Sequence, residues 1–125
     1  METVQKVKTA LEVDGCTAVD AVEMALKLLE DDEMTNAGRG SNLSWDATVR
    51  CDASIMDGHS LNWSAMGAMK GIRNPISAAR KLLDKHNEAN DNKPELVRPL
   101  LLVGDSATKW ALDRGCESAQ DLTTS

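Results

Sequence analysis

An α+β fold with an incomplete sheet is what this sequence predicts. Apolar residues recur at helical spacing up to Glu30 and again after Asn74, while between Thr48 and Met66 the period drops to two. Only two strand-like runs stand out between those helical stretches. An isolated hairpin is marginal in water, so its apolar face calls for a larger sheet than these 125 residues display.

The elements follow in order. Met1 to Val13 reads as a helix, with Val4, Val7 and Leu11 on one face and Gly15 as its stop. A second helix starts at Thr17, with Asp20 three residues on as a weak capping box; Val19, Val22, Leu26 and Leu29 form its stripe, to about Glu30. The acidic run Glu30 to Glu33 then falls at a helix C-terminus, where the dipole disfavours it. A bound cation or a solvated loop would each account for it, and the loop is the simpler reading. Asn36 to Asn42 is a glycine-rich turn. Val49, Cys51, Ala53 and Ile55 then alternate with Thr48, Arg50, Asp52 and Ser54, and Asp57-Gly58 marks a reversal. Leu61, Trp63 and Ala65 alternate with Asn62, Ser64 and Met66, which makes a returning strand. The small residues from Ser64 to Gly71 allow another layer to approach closely. Asn74-Pro75 opens a third helix with Asn as its cap and Ile76, Ala79 and Leu83 as its stripe. Asn87 to Pro94 reads as a polar loop, Leu96 to Val103 as a short strand or coil, and Ser106 to Arg114 as a last helix. Gln120 to Ser125 has no pattern.

Composition excludes several classes. Three Trp with no Phe or Tyr leave few stacking platforms for nucleobases, and a net charge of −6 disfavours nucleic acid and anionic membranes as partners. Apolar runs such as Leu100 to Val103 are far too short to span a bilayer, and Met1 to Leu11 lacks a signal-peptide core. Cys16, Cys51 and Cys116 are too scattered for a disulfide framework or a zinc motif. Free thiols in a reducing, intracellular compartment, cytoplasm or nucleus, are the expectation.

The chemistry legible from residues alone is sparse. Gly38-x-Gly40 lacks the third glycine of a dinucleotide fingerprint, since Leu43 stands there, and no P-loop lysine follows. Asn36, Ser41 and Asn42 crowd the same turn. Turn capping accounts for them blandly; a polar constellation gripping a substrate accounts for them functionally. Asp52 and Asp57 are an odd number of residues apart, so a regular strand points them to opposite sides; Asp57 reads as a turn residue and Asp52 as structural. His59 and His86 read as solvated, and no Gly-x-Ser-x-Gly elbow exists.

Four stretches together resemble one family. They are Asp20-Ala-Val to Leu29-Glu-Asp31, Thr35-Asn-Ala-Gly-Arg-Gly-Ser-Asn-Leu43, Cys51-Asp-Ala-Ser-Ile-Met-Asp-Gly58 and Gly67-Ala-Met-Lys-Gly-Ile-Arg-Asn-Pro75; Leu102-Val-Gly-Asp105 with Trp110 to Gly115 is a weaker fifth. They are similar to the α-subunit region of the asparaginase-type N-terminal nucleophile hydrolases, and within them to threonine aspartase (taspase). Asn42 favours that branch, because asparaginases and isoaspartyl peptidases usually carry an aliphatic residue there. The resemblance implies an αββα sandwich, of which residues 1–125 would be a partial α-subunit region, helices plus a β-hairpin with the sheet incomplete. It also implies a precursor that cuts itself before a threonine, whose freed amine and hydroxyl become base and nucleophile. Asn36 matches the family's Asn-Ala-Gly asparagine and is expected to donate its amide to the scissile carbonyl. Gly38, Gly40, Ser41 and Asn42 are expected to shape the loop. Leu29 to Arg39 matches a segment that wraps a sodium ion in asparaginase relatives; no metal or cofactor is assigned here.

The departures are equally specific. The sequence opens inside the helix that follows the family's first strand, and no Gly-Thr-Val-Gly run carries a nucleophile; Thr123 and Thr124 lack its flanking residues. The expected function is therefore that of a threonine-type endopeptidase cleaving proteins after aspartate, represented by a chain inactive on its own. An asparaginase or isoaspartyl peptidase, and a non-catalytic truncated paralogue that docks on a full-length relative, are the alternatives. The expected partners are a nucleophile-bearing β-subunit segment or full-length relative, and an aspartate-containing protein substrate.

Overall fold

The computed structural model describes residues 2–13, 15–88 and 97–119. Helices α1 (Glu2–Glu12) and α2 (Ala18–Glu30) lead through a 3-10 turn (Gly38–Gly40) to strands β1 (Cys51–Met56) and β2 (Trp63–Met69). Helix α3 (Pro75–Asn87), strand β3 (Leu101–Val103) and helix α4 (Gly104–Asp113) complete the order. The sheet runs β1-β2-β3, with β2 antiparallel to β1 and parallel to β3. A parallel pair needs a crossover, and α3 supplies it. The expected two-stranded hairpin is thus corrected to a three-stranded sheet, and the short apolar run ends in its third strand. The polar segment read as a loop falls mostly within residues 89–96, and the tail within 120–125; both lie outside the described residues.

Helices α3 and α4 cover one face of the sheet, α2 packs on α3, and α1 packs on α2. The core joins Ile55, Met66 and Met69 of the sheet to Ile76, Leu82 and Leu83 of α3. Close approach depends on small residues: Ser64, Ala78, Ala79, Ala107 and Ala111 are all fully buried. The Ser64 hydroxyl donates to the Ala79 carbonyl at 2.6 Å, which satisfies it in the core. The bond also shows which way β2 faces. Ser64 and Met66 point into the core, whereas Trp63 is 43% exposed and Leu61 68%. The register also shifts opposite Asp52, where Gly67 and Ala68 form a bulge. That extra residue brings Met66 and Met69 to the same inner face. On the outer face Met56, Trp63, Leu101 and Val103 remain exposed and apolar. The expected stripe of α1 is mostly exposed as well, with Ala10 as its buried residue. Among the described residues, no helix is long and apolar enough to cross a membrane.

Caps and charges set the helix positions. Thr17 and Asp20 form the expected reciprocal capping box, and Asp20 also receives Arg80 at 2.7 Å. The hydrogen bonds from Thr17, then Arg80, hold the Asp20 carboxyl down at about 2. Asn74 departs from its expected role. Its side chain makes no capping bond and instead donates to Asp31 at 3.2 Å. The cap of α3 comes from Glu30, whose Oε1 accepts from the Ile76 N–H at 2.9 Å.

Past Glu30 the acidic run is the solvated loop of the simpler reading, with Asp31, Asp32 and Glu33 all exposed. Glu30 is buried, Asp31 pairs with Arg73, Asp32 accepts from the Met34 N–H, and Glu33 pairs with Arg39. Gly38 packs directly on Glu30. With φ at +53°, a Cβ on Gly38 would lie 2.4 Å from the Glu30 carbonyl oxygen. A side chain at Gly38 is thus excluded twice, by backbone conformation and by contact.

Two outcomes are expected. Burial pushes the Glu30 carboxyl up to about 7, partly offset by the Ile76 N–H. The folded chain then holds a proton that the unfolded chain releases near the ordinary value of 4.5. Stability from this group is fully present below that value and is lost as pH rises through about 7, by up to about 3 kcal/mol. Melting curves of wild type should fall across this window and those of Glu30→Gln should not; a flat wild-type profile would mean the acid is ionised in the fold. Gly38→Ala should cost about 2 kcal/mol or more in denaturant unfolding, and a loss below about 0.5 kcal/mol would show that the turn relaxes freely.

Candidate functional site

The loop after α2 is built from its own polar side chains. The Thr35 hydroxyl sits between the carbonyls of Leu29 and Asp32 and draws the chain back over the helix end. Asn36 follows, exposed. Its Oδ1 accepts the Asn42 backbone N–H at 2.9 Å. A backbone N–H only donates, so this bond fixes the amide's orientation: the oxygen turns into the loop and the NH2 faces away from it. Gly38 and Gly40 lie inside this closure. A Cβ on Gly40 would come within 2.0 Å of the Thr35 carbonyl oxygen and 2.7 Å of that of Glu33. The loop therefore curls around backbone carbonyls. Among the described residues, no group of three or more His, Cys, Asp or Glu gathers as for a metal ion. The carbonyls of Thr35 and Glu33 are hard oxygen donors of the kind that suits an alkali or alkaline-earth ion.

Ser41 ties the loop to the sheet, with its Oγ 3.4 Å from Cys51 Sγ at the start of β1. Asn42 and Leu43 are exposed beyond it. From there Ser44 to Arg50 form a reversal closed by the Ser44 N–H on the Thr48 carbonyl. Arg50 grips Asp46 with both terminal nitrogens, at 2.7 and 2.5 Å. Arg50, then Thr48 and Ser44, hold the Asp46 carboxyl far below the usual range. Sequence reading missed this clasp, although Asp46 and Arg50 carry opposite charges four residues apart.

The structure places the five named loop residues, Asn36, Gly38, Gly40, Ser41 and Asn42, in one turn. The remaining candidates lie elsewhere. The Asp52 Oδ1 accepts the Ala68 N–H at 2.7 Å, which stabilises the bulge in β2, where Ala68 has a φ of +50°. Asp57 caps the hairpin turn through the His59 N–H and the Ser60 hydroxyl. Its carboxyl is held low by those bonds. His59 is exposed, while His86 is half-buried and its Nε2 lies 2.9 Å from the Pro99 carbonyl. A carbonyl only accepts, so Nε2 carries the proton there. All three cysteines are free; Cys51 and Cys116 are buried, and burial pushes the Cys116 thiol up, away from reactivity. Thr123 and Thr124 lie outside the described residues.

Comparison with known proteins bears on this loop and sheet together. The family model described as Asparaginase matches residues 1–125. The chain is 40% identical over 112 residues to a plant-type L-asparaginase of Thermococcus kodakarensis, covering 90% of this chain and 33% of that protein. It is 43% identical over 107 residues to a plant-type L-asparaginase of Pyrococcus horikoshii, covering 86% and 32%. It is 41% identical over 101 residues to an isoaspartyl peptidase/L-asparaginase of Rattus norvegicus, covering 81% and 27%. The chain thus spans about a third of the length of these relatives. With one face of its sheet covered by helices and the other bare, it has the form of part of an N-terminal nucleophile hydrolase fold, and it belongs to the asparaginase family of hydrolases, of the asparaginase and isoaspartyl peptidase type.

Proposed function

We propose that this chain supplies one wall of an amidohydrolase pocket that takes an asparaginyl or aspartyl group, with Asn36 as its oxyanion donor. The carrying observation is the fixed Asn36 amide. Its oxygen is occupied by the Asn42 N–H, so the NH2 is the group left to meet a substrate. When a hydroxyl attacks an amide carbonyl, charge develops on the carbonyl oxygen. A donor already oriented stabilises that charge without reorganising during the reaction.

The attacking hydroxyl comes from outside these residues in this reading, from a threonine on a nucleophile-bearing segment or a full-length relative. The bare sheet face of Met56, Trp63, Leu101 and Val103 supports such a partner, because a sandwich closes by covering that surface. Alone, the chain binds but does not turn over.

Asn42 favours a second reading, cleavage of proteins after aspartate. Its side chain is exposed at the mouth of the turn, where an aliphatic residue would give no hydrogen bond. An amide there suits a polar peptide neighbour of the cleaved residue.

The test is a chimera in which this chain replaces the matching stretch of the Thermococcus kodakarensis enzyme. Release of ammonia from L-asparagine and cleavage of a β-aspartyl dipeptide are expected. Cleavage of an aspartate-containing peptide at its α-linkage, lost in Asn42→Val, would establish the second reading; loss of all three activities in a folded chimera would overturn both. Asn36→Ala should lower kcat about a hundredfold. Asn36→Asp should lower it comparably with no loss of melting temperature, because a carboxylate still accepts the Asn42 N–H but cannot donate. An unchanged kcat in Asn36→Asp removes the donor role.

A further inference from the structure

We propose that the cleft between the C-terminal ends of α3 and α4 binds a small oxyanion of the phosphate or carboxylate class. The cleft is about 170 Å³, roomy enough for one such group, and Lys85, His86, Arg98 and Arg114 line it beside Trp110 and Pro99. No Asp or Glu belongs to its wall among the described residues, in a protein whose net charge is −6.

The cationic groups are held in place. The Arg98 Nη1 donates to the Lys85 carbonyl. The Arg114 guanidinium stacks 4.1 Å above the Trp110 ring and sends Nη1 to the Trp110 carbonyl at 3.3 Å. Each bond uses one of five N–H donors, so both forks keep donors to spare. Among the described residues, neither arginine forms an ion pair within 4.0 Å. Glu88 stands outside the wall; it is bound to Lys85 at 2.8 Å, and Lys85, then Arg98, lower its carboxyl.

Two helices end here, and their dipoles would gather cations in any case. Each contributes only about half a negative charge. Two guanidinium groups exceed that total, so a positive surplus faces the cleft. Planar forks of this kind match oxygen pairs on phosphate and carboxylate alike. The proposal does not depend on Asn36 or on hydrolysis.

Calorimetric titration of the 125-residue chain with inorganic phosphate, and separately with acetate, at constant ionic strength tests it. Saturable binding is expected, weakened about tenfold or more in Arg98→Gln and in Arg114→Gln, and unchanged in Lys109→Gln outside the cleft. Phosphate should also slow the modification of Arg98 and Arg114 by phenylglyoxal, a readout that needs no variant. Binding no stronger than that of chloride, or undiminished from wild type in both arginine variants, overturns the site. Binding that emerges only in Asp91→Asn/Glu95→Gln would assign the cleft to the chain's own carboxylates and overturn an external ligand.

Discussion

The carboxyl group of Glu30 stands where three parts of the molecule meet. It ends α2, its side chain caps α3, and its backbone lies against Gly38. One of its oxygens is buried without a hydrogen-bond partner, so the contact is maintained at an electrostatic cost. That cost is offset by what the contact organises. The turn bearing Asn36 cannot move away from α2 without opening the Gly38 seam. Helix α3 cannot shift along the sheet without losing its N-terminal bond. The position of a polar turn relative to a β-sheet is thus set by a single buried acid.

The turn itself works by the same economy of groups. Thr35 closes its start, the Asn36 oxygen closes its end, and two glycines let carbonyls crowd its interior. The Asn36 amide nitrogen is left facing outward. Preorganisation of a donor normally requires a supporting layer of side chains. Here the loop backbone provides that layer, through the Asn42 N–H. The sheet contributes rigidity at one remove, by the Ser41–Cys51 contact and by the Asp46–Arg50 clasp that precedes β1.

Local patterns were legible in the sequence and distant pairings were not. The Thr17–Asp20 box spans three residues and could be read directly, as could the helical stripe of α3 and the Asp57 turn. The cap on Ile76 comes from Glu30, far away in sequence, so an Asn-Pro pair looked sufficient and was not. The alternation in β2 leaves its inner face open, because Trp63 on one side and Met66 on the other are both apolar. Burial follows Ser64 and Met66, since α3 approaches on their side and the bulge resets the phase. Strand β3 could be read only as strand or coil because three residues carry no periodicity; it exists through its parallel partner. At the site, the motif Asn-Ala-Gly-Arg-Gly marked the turn, and the assignment to the asparaginase family agrees with it. The finer branch rests on Asn42 alone, too little for sequence to separate a peptide-bond substrate from a side-chain amide. The arginine cleft escaped notice because its members come from three separate segments.

The bare face of the sheet has a cost that concerns the life of the chain before any catalysis. Trp63, Leu101 and Val103 form a water-facing apolar surface bordered by the open hydrogen-bonding edge of β1. Such a surface is sticky towards every other copy of itself during synthesis. Its safe handling is a race between correct closure and clumping, won by low concentration or by prompt assembly.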